Sequence, residues 1–174
     1  MRFPVPALAA IIVAVLALPV SAHAQKSGGT LRSYIWDNPP SASIHEEATI
    51  STVMPFMAVF NNLIQQDQTK EHQTLETLVP DLAKSWAWDD SGTKLTFVLN
   101  EGVKWHDGQP FTAKDVKCTI DKLTGKDKDA FRKNPRAIWY ANVADVAVNG
   151  DHEVTLVMSR PQPSILAMLA SGYS

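Results

Sequence analysis

Val79-Pro80-Asp81-Leu82-Ala83-Lys84-Ser85-Trp86-Ala87-Trp88-Asp89-Asp90-Ser91-Gly92-Thr93-Lys94-Leu95-Thr96-Phe97-Val98-Leu99 is the stretch that decides the fold reading. Asp89 to Gly92 is a run of turn formers, and Gly92 can adopt the positive φ that tight turns require. The turn predicts a hairpin with strands over Leu82 to Asp89 and Thr93 to Leu99. Leu95, Phe97 and Leu99 alternate with Thr96 and Val98, so one face of the second strand is expected to be the more buried. Lys104-Trp105-His106 predicts a further short strand, and Asp107-Gly108-Gln109-Pro110 a turn.

Working outward, the next strong pattern is a helix start. Thr112 suits an N-cap, with Asp115 three residues on to return the bond in an acidic form of the capping box. Phe111 is placed to staple onto Val116. Ala113, Val116, Ile120 and Leu123 give the buried stripe, and Gly125 ends the helix. Lys126 to Arg136 reads as a charged, solvated connection. Val143 to Asn149 and Glu153 to Met158 predict a second hairpin around Gly150-Asp151. Pro161 and Pro163 punctuate the chain before Ser164, read as the cap of a helix over Ile165 to Ala170. Upstream, Thr30 to Trp36 has strand composition, and Asp37-Asn38-Pro39-Pro40 stops it. Ser41 to Glu47 is read as loop. Val53, Phe56, Met57 and Phe60 predict a helix over Thr49 to Leu63, and Asp67 to Glu76 an exposed loop.

The chain has 174 residues and a formal net charge of -2, a balance that points to neither nucleic acid nor an anionic membrane surface as partner. Arg2, the apolar run Ala7 to Leu18 and Ala22-His23-Ala24 have the order of an export signal, with cleavage expected between Ala24 and Gln25. The apolar run is too short to span a bilayer, which needs about 20 residues. Cys118 is the only cysteine, so no intramolecular disulfide can form, and no cysteine sits just after the cleavage point to carry a lipid. The mature chain is expected to be soluble, monomeric and periplasmic.

The hairpin stretch, together with Gly102-Val103-Lys104-Trp105-His106-Asp107-Gly108-Gln109-Pro110-Phe111-Thr112-Ala113-Lys114-Asp115-Val116, resembles the pattern of family 5 extracellular solute-binding proteins. These are the dipeptide-, oligopeptide- and nickel-type binding proteins of ABC importers. The resemblance implies a mixed α/β (α+β) fold of the type II periplasmic-binding-protein kind. It also implies no enzymatic activity, no cofactor, a small-molecule or peptide ligand, and ABC permease and ATPase subunits as partners. Family members form a two-lobed clamp of roughly 500 residues. On that pattern residues 1–24 are the signal peptide and 25–38 the first strand of lobe I. Residues 39–160 are its small β-rich subdomain, and 161–174 begin the return to lobe I, with lobe II absent. Ile165 to Leu169 would then be an exposed apolar helix with little to pack on, so the sequence reads as a fragment.

Candidate chemistry is sparse. His106-Asp107 suggests an acid/base pair, but sequence neighbours on an extended segment point to opposite faces. They read better as a turn, and a hydrolase using them is a remote alternative. A self-standing secreted interaction module is the other one. Cys118 reads as a small packing residue, and His45, Glu46 and Glu47 lack metal-ligand spacing. Two regions carry the binding expectation. The resemblance brings the loop Ser41 to Ile50 to the ligand, with Glu46 and Glu47 facing a ligand ammonium and Thr49 and Ile50 offering backbone or apolar contact. A solvated acidic helix start is the competing reading of the glutamates. Trp139-Tyr140 reads either as an apolar cleft wall with a hydroxyl handle or as core. Trp86, Trp88 and Trp105 are read as packing residues.

Overall fold

The computed structural model describes residues 28–30, 32–129 and 132–173. The export signal and its Ala24–Gln25 junction lie outside the described residues. The chain divides into two units, Met1–Tyr34 and Ile35–Ser174. Described residues of the first unit carry no helix or strand. The expected strand over Thr30 to Trp36 is therefore not found. Strand composition makes a strand only where a neighbour supplies a ladder, and none of the described ladders includes these residues.

The second unit is built on two hairpins that join. Strand β3 (Ala83–Trp88) pairs antiparallel with β4 (Lys94–Leu99), and β5 (Val143–Val148) with β6 (Glu153–Met158). Antiparallel pairing of β4 with β6 fuses them into a four-stranded sheet of order β3-β4-β6-β5. The expected turn glycines carry both hairpins, with φ of 65° at Gly92 and 81° at Gly150. In the β3–β4 turn, Asp89 Oδ1 accepts from the Thr93 and Lys94 amides at 3.0 and 2.9 Å.

Register aligns the apolar side chains in rows across the sheet. Trp88, Leu95, Leu156 and Val146 form one, and Trp86, Phe97, Val154 and Val148 the next. Leu95, Phe97, Leu99, Val154 and Leu156 are fully buried. The intervening row is Ala87, Thr96, Thr155 and Ala147, with the two threonine hydroxyls 2.8 Å apart. Both edge strands carry an irregularity, between Ala83 and Ser85 in β3 and between Val143 and Asp145 in β5. Bulges of this kind blunt an edge against unwanted pairing.

Helix α2 (Ala113–Leu123) lies against β5 and β6 and buries Ala113, Val116, Ile120 and Leu123, the stripe expected from the sequence. At its start, Asp115 Oδ2 accepts from the Thr112 amide at 2.7 Å and from its hydroxyl at 3.1 Å. Phe111 and Val116 are both buried in the same core, consistent with the staple. Gly125 follows the helix with φ 73°.

The remaining elements depart further from expectation. Helix α1 (Ile50–Phe56) is shorter than the predicted Thr49 to Leu63. Tertiary bonds claim the residues beyond it: Asp81 accepts from the Asn61 side chain and the Asn62 amide, and Leu82 and Ala83 donate to the carbonyls of Asn62 and Leu63. Next comes a two-stranded ladder absent from the sequence reading, β1 (Ile64–Gln66) against β2 (Leu78–Pro80). Lys104 to His106 makes only an isolated bridge, Lys104 to Pro110. Helix α3 (Ile165–Leu169) begins after Ser164, whose side chain makes no cap bond. It is not exposed: Ile165, Leu166 and Leu169 are 0%, 7% and 2% accessible and belong to the main core. Cys118 is exposed rather than packed, and Trp105 is 46% exposed. Among the described residues no helix is long and apolar enough to cross a membrane.

Asp115→Ala removes the acceptor that holds the start of α2 and should lower stability by about 1 kcal/mol. Lys114→Ala, one residue away and exposed, should change it by less than about 0.5 kcal/mol. Urea titration of the two variants checks the difference.

Candidate functional site

Three chain segments converge on Arg136. The residue is 7% accessible, and its guanidinium donates to two main-chain carbonyls of the loop before α1, Ile44 O through Nη2 and Glu47 O through Nη1 at 3.1 Å. Its Nε is buried without a hydrogen-bond partner. The charge lies 4.7 Å from the ring centroid of Tyr173 and 6.0 Å from that of Trp139. These two rings meet edge to face at 5.9 Å. Asn134 seats the arginine from behind: its Oδ1 accepts from the Arg136 amide and its Nδ2 donates to Leu123 O at the end of α2. The loop is thus pinned to the turn after α2 by a buried cation that donates to main-chain oxygens.

The expected binding residues fall on this arrangement unequally. Glu47 Oε1 is 3.0 Å from Arg132 Nη1, and Glu46 Oε1 accepts from the Arg132 amide at 3.2 Å. Both carboxylates are thus engaged within the protein. Thr49 and Ile50 are exposed, and the Thr49 hydroxyl lies 3.3 Å from that of Thr52. Trp139 and Tyr140 share a short 3-10 turn, Ala137–Tyr140, that sends them opposite ways. Trp139 is 46% exposed and Tyr140 is fully buried. The Tyr140 hydroxyl has no partner, and burial pushes its pKa up to about 12. Tyr140 is therefore core and not the hydroxyl handle of a cleft. Arg136, Arg132 and Tyr173 were missed in the sequence. Arg132 and Arg136 fall in Lys126 to Arg136, which the sequence reads as a solvated connection, but Asn134 and Arg136 are buried at 5% and 7% accessible.

His45 adjoins the pinned loop. Burial, with the positive charges of Arg136 and then Lys122 nearby, pulls its pKa down to about 4, against a smaller opposing effect of Glu46. It is neutral in the folded protein at ordinary pH. His106 and Asp107 do not form an acid/base pair. Asp107 Oδ1 closes the turn by accepting from the Gln109 amide at 2.9 Å, and His106 is exposed. Among the described residues no three His, Cys, Asp or Glu side chains are gathered as metal ligands would be.

A model of the bacterial extracellular solute-binding proteins, family 5 Middle, matches residues 77–174, the span that builds the whole four-stranded sheet with α2 and α3. The chain belongs to family 5 of the bacterial extracellular solute-binding proteins. It is 38% identical over 96 residues to a Brucella ovis protein named for peptide binding in an ABC transporter, covering 55% of this chain and 17% of that one. With the dipeptide-binding protein of Escherichia coli it shares 27% over 110 residues, 56% of this chain and 21% of the relative. Among solved structures, the A. tumefaciens R10 binding protein MoaA, in complex with mannopinic acid, superposes with a TM-score of 0.63 at 25% identity, over 73% of this chain and 24% of that one. The family 5 chain thus spans about a sixth to a quarter of the length of these proteins. The matched span includes Arg136 and Trp139, whereas the loop that Arg136 holds, Ile44 to Ile50, precedes it.

Two outcomes follow from the buried groups. His45 has a folded pKa below its unfolded value of 6.5, so its contribution is complete above 6.5 and is lost as pH falls from 6.5 through about 4. The loss amounts to at most about 3 kcal/mol. Denaturation curves at several pH values should show that part of the slope missing in His45→Gln; coincident slopes would contradict a neutral buried His45. Tyr140→Phe deletes a buried, unpartnered hydroxyl and should leave stability unchanged or raise it. A loss above about 1 kcal/mol in the same assay would mean the hydroxyl is bonded.

Proposed function

We propose that this chain supplies one wall of the capture site of an ABC-importer receptor, a protein that binds a small solute, foremost a peptide, in the periplasm and delivers it to the membrane permease. The single observation that carries the reading is the family match over 77–174, falling on a scaffold whose Arg136 fixes the loop Ile44 to Ile50. On this reading residues 1–24 are a cleaved export signal and residues 39–160 the small subdomain of lobe I. No bond is made or broken; a ligand shifts the population of a hinged clamp toward its closed form.

The ligand-facing residues proposed are Glu46, Glu47, Thr49, Ile50 and Trp139. Ile50 and Trp139 are 49% and 46% exposed, large apolar surface beside charged groups. That mixture suits a peptide, which brings apolar side chains and an ammonium group together. Glu47 is tied to Arg132, so a ligand ammonium would have to share or displace that pair. One relative is named for dipeptides, which supports the class; another, from Rhizobium meliloti, is named for α-galactosides and makes a sugar-derived solute the alternative.

One wall of a clamp holds a ligand poorly, so calorimetry of the mature chain with a mixed dipeptide pool should show no micromolar binding. Splicing residues 28–173 in place of the matching segment of the E. coli dipeptide-binding protein should restore binding. In that chimera Trp139→Ala should weaken affinity about tenfold, about 1.4 kcal/mol. A folded chimera that binds no dipeptide contradicts the proposed function. One that binds equally well without Trp139 removes Trp139 from the site.

A further inference from the structure

A cleft of about 400 Å³ opens in the second unit, within the size range of small-molecule sites. The loop residues Ala42 to His45 border it, whereas Glu46, Glu47, Thr49, Ile50 and Trp139 do not. The buried part of its lining is apolar and includes Leu63, Val116, Ile120, Leu123 and Leu169. Val59, Phe60 and Trp105 are its exposed apolar part, at 55%, 46% and 46%. An edge-to-face contact with Phe111, centroids 5.7 Å apart, fixes the Trp105 ring.

The ionisable groups of the lining share one sign. Lys104, Lys122, His45 and His106 border the cleft, and no aspartate or glutamate does. Lys104 has no ion-pair partner among the described residues. Lys122 is bonded to Asp127, which is outside the lining, at 2.6 Å. The amides of Asn61 and Asn62 are taken, by Asp81 Oδ1 at 2.9 Å and Ser171 O at 2.8 Å. His45 Nδ1, in contrast, is buried without a hydrogen-bond partner. Burial and then the charges of Arg136 and Lys122 keep this imidazole neutral, with Glu46 opposing them more weakly. A neutral imidazole can carry its proton on Nδ1 and donate it, and a buried nitrogen left unbonded gains when an acceptor arrives. A cleft with apolar walls and charges of one sign concentrates a field that draws in the opposite charge.

We propose that this cleft binds an amphipathic monocarboxylate of the medium-chain fatty-acid type, its chain against the apolar lining and its carboxylate held by Lys104 and the Nδ1–H of His45. The inference stands apart from the proposed peptide capture. A peptide brings an ammonium as well, and the lining has no carboxylate to meet it.

Calorimetry of the full chain with decanoate, below its micelle-forming concentration, should show one saturable equivalent. Decylammonium, with the same chain and the opposite charge, should bind at least about tenfold more weakly. Lys104→Ala should weaken decanoate about fivefold, as removal of one exposed charge allows, and change decanol by less than about twofold. Lys114→Ala, an exposed lysine outside this lining, should change neither. Phe60→Ala should weaken decanoate and decanol alike, because it removes wall and no charge. α-Bromodecanoate carries its heavy atom beside the carboxylate and should quench Trp105, so that the quenching is lost in Trp105→Phe. A mixed dipeptide pool should not displace decanoate; displacement would overturn the inference and leave the proposed function standing. The absence of a saturable equivalent, equal affinity for decanoate and decylammonium, or equal losses in Lys104→Ala and Lys114→Ala would overturn it too.

Discussion

The pairing of Lys94–Val98 with Glu153–Val157 holds the rest of the molecule in place. Each hairpin alone is a two-stranded ribbon, marginal in water. Joined through β4 and β6 they become a sheet whose rows, Trp88-Leu95-Leu156-Val146 and Trp86-Phe97-Val154-Val148, give α2 a continuous surface to cover. Fully burying one large apolar side chain is worth about 1.5–3 kcal/mol, and five such residues of β4 and β6 are fully buried. The intervening chain is long, but closure entropy rises only slowly with length. The helix reinforces the closure, since the Ala113 amide donates to Asp151 O at the tip of the second hairpin at 2.8 Å.

What was legible in the sequence is what is local. Turn glycines, alternation and the Thr112–Asp115 cap each act within a few residues, and each is found. The misreadings are places where distant chain decides. Thr30 to Trp36 has the composition of a strand, yet a strand exists only with a neighbour. The helical spacing from Val53 to Phe60 is real, but Asp81 and the β2–β3 corner take the backbone of Asn61 to Leu63 for other bonds. The apolar run Ile165 to Leu169 looked stranded because its partners in the core are set by the fold.

The candidate site shows the same division at the level of charge. Two adjacent glutamates invite the reading of free anions awaiting an ammonium. In the fold, Arg132 engages both, and Arg136 takes the carbonyls of the same loop. Nothing in a sequence marks an arginine as buried, because burial of a cation requires acceptors arriving from elsewhere. Trp139 and Tyr140 are neighbours with similar rings, and only the sense of one 3-10 turn separates a surface residue from a core one.

Arg136 also shows how this scaffold holds a loop without dictating its side chains. It lies in the span that the family shares, but the loop it holds lies before that span. Its bonds to the loop go to main-chain oxygens, which any side-chain sequence supplies. A scaffold that grips a loop by its backbone fixes the loop's position while leaving its side chains free to vary. His45 shows the constraint that remains: placed beside the buried guanidinium and out of water, it must be neutral. A side chain that carried positive charge there would oppose the arginine that positions the loop. Freedom in such a loop therefore belongs to the residues that point away from Arg136, among which Thr49 and Ile50 are exposed.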